Sequence, residues 1–145
     1  MKVCDVMTHG VYTTSPDDTV QTAAQTMADL DTGVLPIGED NRLIGILTDR
    51  DLSIRVVAEA RDPATTVVRD VMSREVRCCF EDDSVEEVAG KMSEWQLRRL
   101  PVLNKEHRLV GIISLGDLAR RTTPQIAGGA LSGIAETNRD AGASA

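Results

Sequence analysis

The chain repeats itself, and that duplication constrains its fold more than any other feature. Asp5-Val6-Met7-Thr8 returns as Asp70-Val71-Met72-Ser73, a displacement of 65 residues. The same displacement runs through Val20 and Val85, Ala24 and Ala89, Met27 and Met92, Leu35 and Leu100, and Pro36 and Pro101. Beyond the prolines it becomes 66: Arg42-Leu43-Ile44-Gly45-Ile46-Leu47-Thr48 matches Arg108-Leu109-Val110-Gly111-Ile112-Ile113-Ser114, and Asp51-Leu52 matches Asp117-Leu118. One residue has been inserted in a turn of the second copy. A duplicated sequence implies a duplicated supersecondary unit, so the architecture must contain the same unit twice.

Each copy reads alike. Val20, Ala23, Ala24, Met27 and Leu30 recur at helical spacing, as do Val85, Val88, Ala89 and Met92, which predicts an amphipathic helix with one buried face in each copy. Ser84-Val85-Glu86-Glu87 has the form of a capping box opening the second of these helices. Two short apolar runs follow, Val34–Ile37 and Leu43–Leu47 in the first copy, Leu100–Leu103 and Leu109–Ile113 in the second, each pair separated by a polar turn and read as a hairpin. Pro36 and Pro101 cannot donate ladder hydrogen bonds, so their strands are expected at a sheet edge or at a bend. A second helix is expected from about Asp49 to Glu59 and again from about Gly116 to Arg121. Val11–Thr14 and Val76–Phe80 are candidate strands ahead of the first helices. The unit is therefore β-α-β-β-α, in an α+β fold, with a first motif over residues 3–60, a linker over 61–69 that contains Arg61-Asp62-Pro63, and a second motif over 70–121. Residues 122–145, rich in Gly, Ala and Ser, form a low-complexity tail expected to be either disordered or a weakly held helix.

Composition narrows the function. The net charge is −7, from 16 Lys and Arg against 23 Asp and Glu, which argues against a nucleic-acid partner because phosphate backbones are held by clustered cations. The charge is unevenly spread: residues 1–60 carry 4 basic and 10 acidic groups, whereas 61–121 carry 11 of each. Arg98-Arg99 and Arg120-Arg121 are the densest cationic pairs. No apolar run reaches the roughly 18 residues of a membrane-spanning helix, and Met1-Lys2-Val3-Cys4-Asp5 lacks the apolar core of a signal peptide, so a cytoplasmic protein without a membrane partner is expected. Cys4, Cys78 and Cys79 make an odd count with two of them adjacent, which favours reduced thiols.

The sharpest motif is a hydroxyl-x-x-Asp element at each strand-to-helix junction, Thr48-Asp49-Arg50-Asp51 and Ser114-Leu115-Gly116-Asp117. Two readings apply. In one it is a helix-start device, the hydroxyl taking an orphan amide and the carboxylate reaching back. In the other the helix start offers amides and partial positive charge to a phosphate, while the carboxylate accepts from ribose hydroxyls.

These fragments, in the same order twice over, resemble the CBS-motif pair, or Bateman module, of the stand-alone bacterial type. The resemblance covers about residues 3–121 and rests on the Asp-Val-Met openings, the Leu-Pro strands, Gly45-Ile46-Leu47-Thr48-Asp49-Arg50-Asp51 and Gly111-Ile112-Ile113-Ser114-Leu115-Gly116-Asp117. It implies two motifs related by a pseudo-two-fold, with two clefts between them, and a homodimer packed through helices; Ile54, Val56 and Val57 are compatible with such a face. It implies that Asp51 and Asp117 hold ribose, with Thr48 and Ser114 near phosphate. It implies that Val34, Leu35 and Pro36, and Leu100 and Pro101, belong to the stretches that wrap adenine. Arg98 and Arg99 match a basic pair sent toward the other motif's Asp, here Asp51, and Arg50 by the same symmetry leans toward Asp117. Because Gly33 and Val34 replace the pair in the first copy and Gly116 replaces Arg50 in the second, the two clefts are expected to differ.

The implied ligand is an adenine nucleotide, with AMP, ADP, ATP, NAD and S-adenosylmethionine all offering adenine and ribose, and the implied role is regulation of an effector protein in trans. No catalytic cofactor or metal is expected: His9 and His107 are the only histidines, and no H-E-x-x-H, C-x-x-C, P-loop or G-x-G-x-x-G is present. Ser114 sits in G-x-x-S-x-G, which is not the spacing of a nucleophile elbow. An enzyme is therefore not expected. The alternatives are an interaction or dimerisation module with vestigial clefts and, third, a redox sensor acting through the cysteines.

Overall fold

The computed structural model of the chain describes the backbone of residues 1–143 and side chains up to residue 135. In chain order it contains α1 (Val3–Val6), β1 (Thr8–His9), α2 (Val20–Leu30), β2 (Val34–Glu39), β3 (Arg42–Thr48), α3 (Asp49–Leu52, continued by a π-helical turn Ser53–Val57) and a 3₁₀ turn at Val68–Asp70. The second half holds β4 (Cys79–Phe80), α4 (Val85–Trp95), β5 (Arg99–Leu103), β6 (Leu109–Ser114), α5 (Leu115–Arg121) and α6 (Pro124–Ala143). Mixed helices and strands, arranged alike in the two halves, make this the expected α+β class with a tandem repeat.

The duplication is visible down to the helix ends. Thr19 Oγ1 accepts the Thr22 amide to open α2, and Ser84 Oγ accepts the Glu87 amide to open α4, each satisfying one donor that the first helical turn leaves orphaned. Both helices stop at a residue in the left-handed region, Asp31 (φ 52) and Gln96 (φ 60). Val20, Ala23 and Met27 are buried on α2, and Val85, Val88, Ala89 and Met92 on α4. The stripe on α2 is narrower than its periodicity predicts, since Ala24 and Leu30 face solvent.

The chain resolves into two compact units that cut across the repeats: one is Tyr12–Val76, and the other joins Met1–Val11 to the chain from Arg77 onward. The division at 3–60 and 70–121 describes the sequence repeat, whereas the units exchange opening segments because each segment finds its sheet partner in the other copy. Thr8 and His9 of β1 pair with Ile112 and Gly111 of β6. Ser73 exchanges two 2.9 Å backbone bonds with Ile46 of β3. The close approach needs glycine: a Cβ on Gly111 would lie 2.7 Å from the Thr8 carbonyl oxygen, and one on Gly45 would lie 3.0 Å from that of Ser73. An arginine clamps each segment from the following helix. Arg55 Nη1 donates to the carbonyls of Val71 and Met72 at 3.0 and 3.2 Å, and Arg121 Nη1 donates to those of Val6 and Met7 at 3.2 and 3.5 Å.

Within the unit Tyr12–Val76, β2 and β3 form the hairpin, and Leu35, Ile37, Leu47, Val56, Val68, Val71 and Met72 join the buried face of α2. Within the other unit the strand order is β1-β6-β5-β4, over a core of Val3, Val6, Met92, Leu100, Val102, Ile113 and Leu118. Each proline precedes a register break, between Ile37 and Gly38 in β2 and between Val102 and Leu103 in β5, so the expected irregularity is present in both strands although β5 is interior. Pro36 turns its carbonyl away from β3 to accept the Thr14 amide at 3.0 Å, so its missing donor costs the hairpin nothing. Pro101 lies on an interior strand, paired with Ile112 on one side, because β4 joins β5 only at Val102 and Leu103. The candidate strands Val11–Thr14 and Val76–Phe80 contract to a single bridge, Thr14 to Ile37, and to Cys79–Phe80.

The described tail is helical from Pro124 to Ala143. α6 packs against α4 and α5, burying Ala130 and Ile134, and Gly and Ala at the contact let the backbones approach closely. One of its glycines serves tight helix packing, Gly133 against Ser93, which composition alone does not separate from disorder. The helix after β3 ends its regular hydrogen bonding at Leu52 and widens into the π turn, whereas α5 stays regular through Arg121.

Candidate functional site

Each strand-to-helix junction is built by two reciprocal bonds. At the end of β3, Thr48 adopts an extended conformation (φ −116, ψ 161), so its side chain folds over the first helical turn. Thr48 Oγ1 accepts the Asp51 amide at 3.1 Å, and the Thr48 amide donates to Asp51 Oδ2 at 2.9 Å. At the end of β6, Ser114 (φ −119, ψ 161) repeats the arrangement with Asp117, both bonds being 3.0 Å. The capping reading is thereby present in full at both junctions. It uses one oxygen of each carboxylate and leaves Oδ1 for something else.

The two Oδ1 atoms have different fates. Asp117 Oδ1 accepts from Arg120 Nη2 at 2.9 Å, a charge-assisted bond, and the Asp117 side chain is only 3% exposed. Asp51 Oδ1 has Arg55 Nε at 4.0 Å, beyond hydrogen-bond length, and its side chain is 12% exposed. Arg55 is held off by its commitment to the Val71 and Met72 carbonyls. The Asp51 carboxylate is therefore half committed and half available.

The remaining expected residues sort by burial. Arg50 is exposed on the first turn of α3, and Arg98 and Arg99 are exposed at the start of β5; none of the three makes an ion pair among the described residues. The Arg98 carbonyl accepts the Leu115 amide at 2.8 Å, as the Gly33 carbonyl accepts that of Asp49 at 2.9 Å, so each approach to the Leu-Pro strand is tied to the first helical residue of its own copy. Arg99 pairs in register with Ser114. Leu35, Pro36, Leu100 and Pro101 are buried, and Val34 is half-buried. Of the stretches expected around adenine, the leucine and proline side chains are buried and Val34 alone keeps part of its side chain exposed. Arg55, Arg120 and Arg121 were not among the sequence candidates. The 66-residue displacement that pairs Arg55 with Arg121 was a signal for two of them, and the spacing of three between Asp117 and Arg120 was a signal for the third.

The cysteines are apart from these junctions. Burial pushes the Cys79 thiol up to about 12, and burial also raises that of Cys78, so neither thiolate is favoured at neutral pH. Among the described residues no group of three His, Cys, Asp or Glu could hold a metal ion, and no helix is long and apolar enough to cross a membrane.

Comparison with known proteins matches the CBS domain model to residues 3–57 and 68–122. The chain is 41% identical over 137 residues to the CBS domain-containing protein YhcV of Bacillus subtilis, covering 94% of this chain and 96% of that one. A solved structure of Hypoxic Response Protein I with two coordinated zinc ions is similar at TM-score 0.77 and 38% identity, covering 85% of this chain and all of that one (100%). A structure of CBSX2 in complex with AMP is similar at TM-score 0.72 and 26% identity, covering 82% of this chain and 93% of that one.

Proposed function

The chain belongs to the CBS-domain family, and on that premise we propose that it is a regulatory sensor whose Thr48/Asp51 and Ser114/Asp117 junctions serve an adenine nucleotide and whose output passes to a partner protein in trans. The observation that carries the reading is the Asp51 carboxylate: Oδ2 closes the capping box, while Oδ1 lies beside the helix start with no hydrogen-bond donor at bonding distance among the described residues. Two vicinal ribose hydroxyls are donors of the kind that atom lacks. Arg50, exposed on the first turn of α3 and without an acidic partner among the described residues, supplies a cation for phosphate in the unit of Asp51, and Arg98 and Arg99 offer the same in the unit of Asp117. The AMP complex of the similar CBSX2 supports this chemistry. A ligand regulates by binding one arrangement of the protein better than another, so its effect on a partner is bounded by that difference in affinity.

The test is a thermal-shift series with AMP, ADP, ATP, NAD and S-adenosylmethionine. A ligand at 100 times its dissociation constant adds about 2.7 kcal/mol, and ~1 kcal/mol moves the midpoint of a domain this size by a few degrees. A shift is expected with at least one of the five. Silence from all of them at millimolar concentration would remove the nucleotide reading.

A second reading is favoured by Ile54 and Val57, which are 52% and 75% exposed on the helical stretch after Asp51. Their counterparts in the second copy are Arg120 and Thr123, so this apolar face is a property of the first copy alone. Self-association through it suits an interaction module and is compatible with ligand sensing. Sedimentation at micromolar concentration is expected to give about twice the 15.7 kDa chain mass, and Val57→Glu to return it to one. A monomeric wild-type chain would count against this face as an interface.

A further inference from the structure

The two junctions share a cap but differ at the atom a ligand would use. We propose that Arg120 closes the second junction, so that each chain takes one nucleotide, at Asp51, and that removing Arg120 opens a second site at Asp117. The inference rests on the nucleotide reading above and narrows it from two junctions to the one at Asp51 in the wild-type chain, with Arg120 as the residue that sets the number.

Three features act together. Asp117 Oδ1 is occupied by Arg120 Nη2 at 2.9 Å and Oδ2 by the Ser114 amide at 3.0 Å, so both carboxylate oxygens carry a donor. The arginine itself is 68% exposed while its partner is 3% exposed, so the guanidinium lies over the carboxylate from the solvent side, where a ligand would have to enter. Gly116 makes room for it: a Cβ there would meet Arg120 Nη1 at 2.9 Å. In the first copy all three are reversed. The residue matching Gly116 is Arg50, the residue matching Arg120 is Ile54, which has no donor, and Asp51 Oδ1 keeps Arg55 at 4.0 Å. A ribose competing for Asp117 must displace an ionic partner already in place, whereas at Asp51 it need not.

Displacement is the point at which the junctions part, and replacing Arg120 tests it directly. Removing Arg120 leaves the 3%-exposed Asp117 carboxylate with the Ser114 amide alone, which lowers stability, so the urea midpoint of each variant is read beside its titration; Ser114 still caps α5 when Arg120 is gone. The experiment is isothermal titration of the full chain with AMP, or with whichever of ADP, ATP, NAD and S-adenosylmethionine gives the largest thermal shift. The expected result is one ligand per wild-type chain, two per Arg120→Ala chain, and one again in Arg120→Ala with Asp117→Asn. Two ligands on the wild type, or one on Arg120→Ala, would overturn the proposal while leaving nucleotide binding intact. No ligand on any of the three proteins would overturn the nucleotide reading and this one with it.

Discussion

Asp51→Asn is expected to weaken adenine-nucleotide binding by about tenfold to hundredfold while leaving the fold in place. The substitution keeps an oxygen for the Thr48 amide, now 2.9 Å from Oδ2, so the cap survives in neutral form. A change at this position that touches only the cap costs at most about 1 kcal/mol. Charge-assisted bonds to two ribose hydroxyls are a different matter: losing them costs roughly 1.5–3 kcal/mol, which is the tenfold to hundredfold range. Asp117→Asn is expected to do less, because Asp117 Oδ1 is engaged with Arg120 before any ligand arrives. Fluorescence or calorimetric titration of both variants, beside their urea denaturation curves, separates binding from stability. Wild-type affinity in Asp51→Asn would mean that the element is a capping box and nothing more.

Leu100→Ala is expected to act in the opposite sense, destabilising the protein by about 2–5 kcal/mol with little direct effect on ligand contacts. Leu100 has no exposed surface and packs in the core that also holds Ile113 and Leu118. Deleting its isobutyl group removes apolar burial and leaves a cavity that the paired strands β5 and β6 cannot collapse into without losing register. The urea midpoint should fall accordingly. A stability within 1 kcal/mol of wild type, together with lost nucleotide affinity, would reassign the Leu-Pro strand from core to binding surface.

The repeat made the secondary structure legible. Once Asp5-Val6-Met7 and Asp70-Val71-Met72 are aligned, the amphipathic helices, both hairpins and both hydroxyl-x-x-Asp junctions follow from period and turn chemistry, and the structure contains each of them. What stayed hidden depends on contacts distant in sequence. That β1 pairs with β6 is a tertiary fact, invisible to a pattern of alternating residues two positions long. The interior place of Pro101 depends on where β4 starts, and the packing of the tail helix depends on α4 placing Ser93 against Gly133. The site was half legible: its carboxylates and hydroxyls announce themselves by spacing, but which carboxylate oxygen is free depends on whether Arg120 or Arg55 reaches it.

The exchange of opening segments gives the two units different histories during synthesis. Tyr12–Val76 is continuous in sequence, so everything it needs has been made once residue 76 has left the ribosome, whereas the other unit flanks it in sequence and needs both Met1–Val11 and the chain from Arg77 onward. The first eleven residues must therefore wait while about a hundred more are translated before Thr8 can meet Ile112. Closing so long a loop costs entropy that grows only slowly with length, but the contact cannot form before its partner exists. A unit inserted within another in this way folds from the inside outward. Loss of buried Val3 consequently falls on the unit completed last.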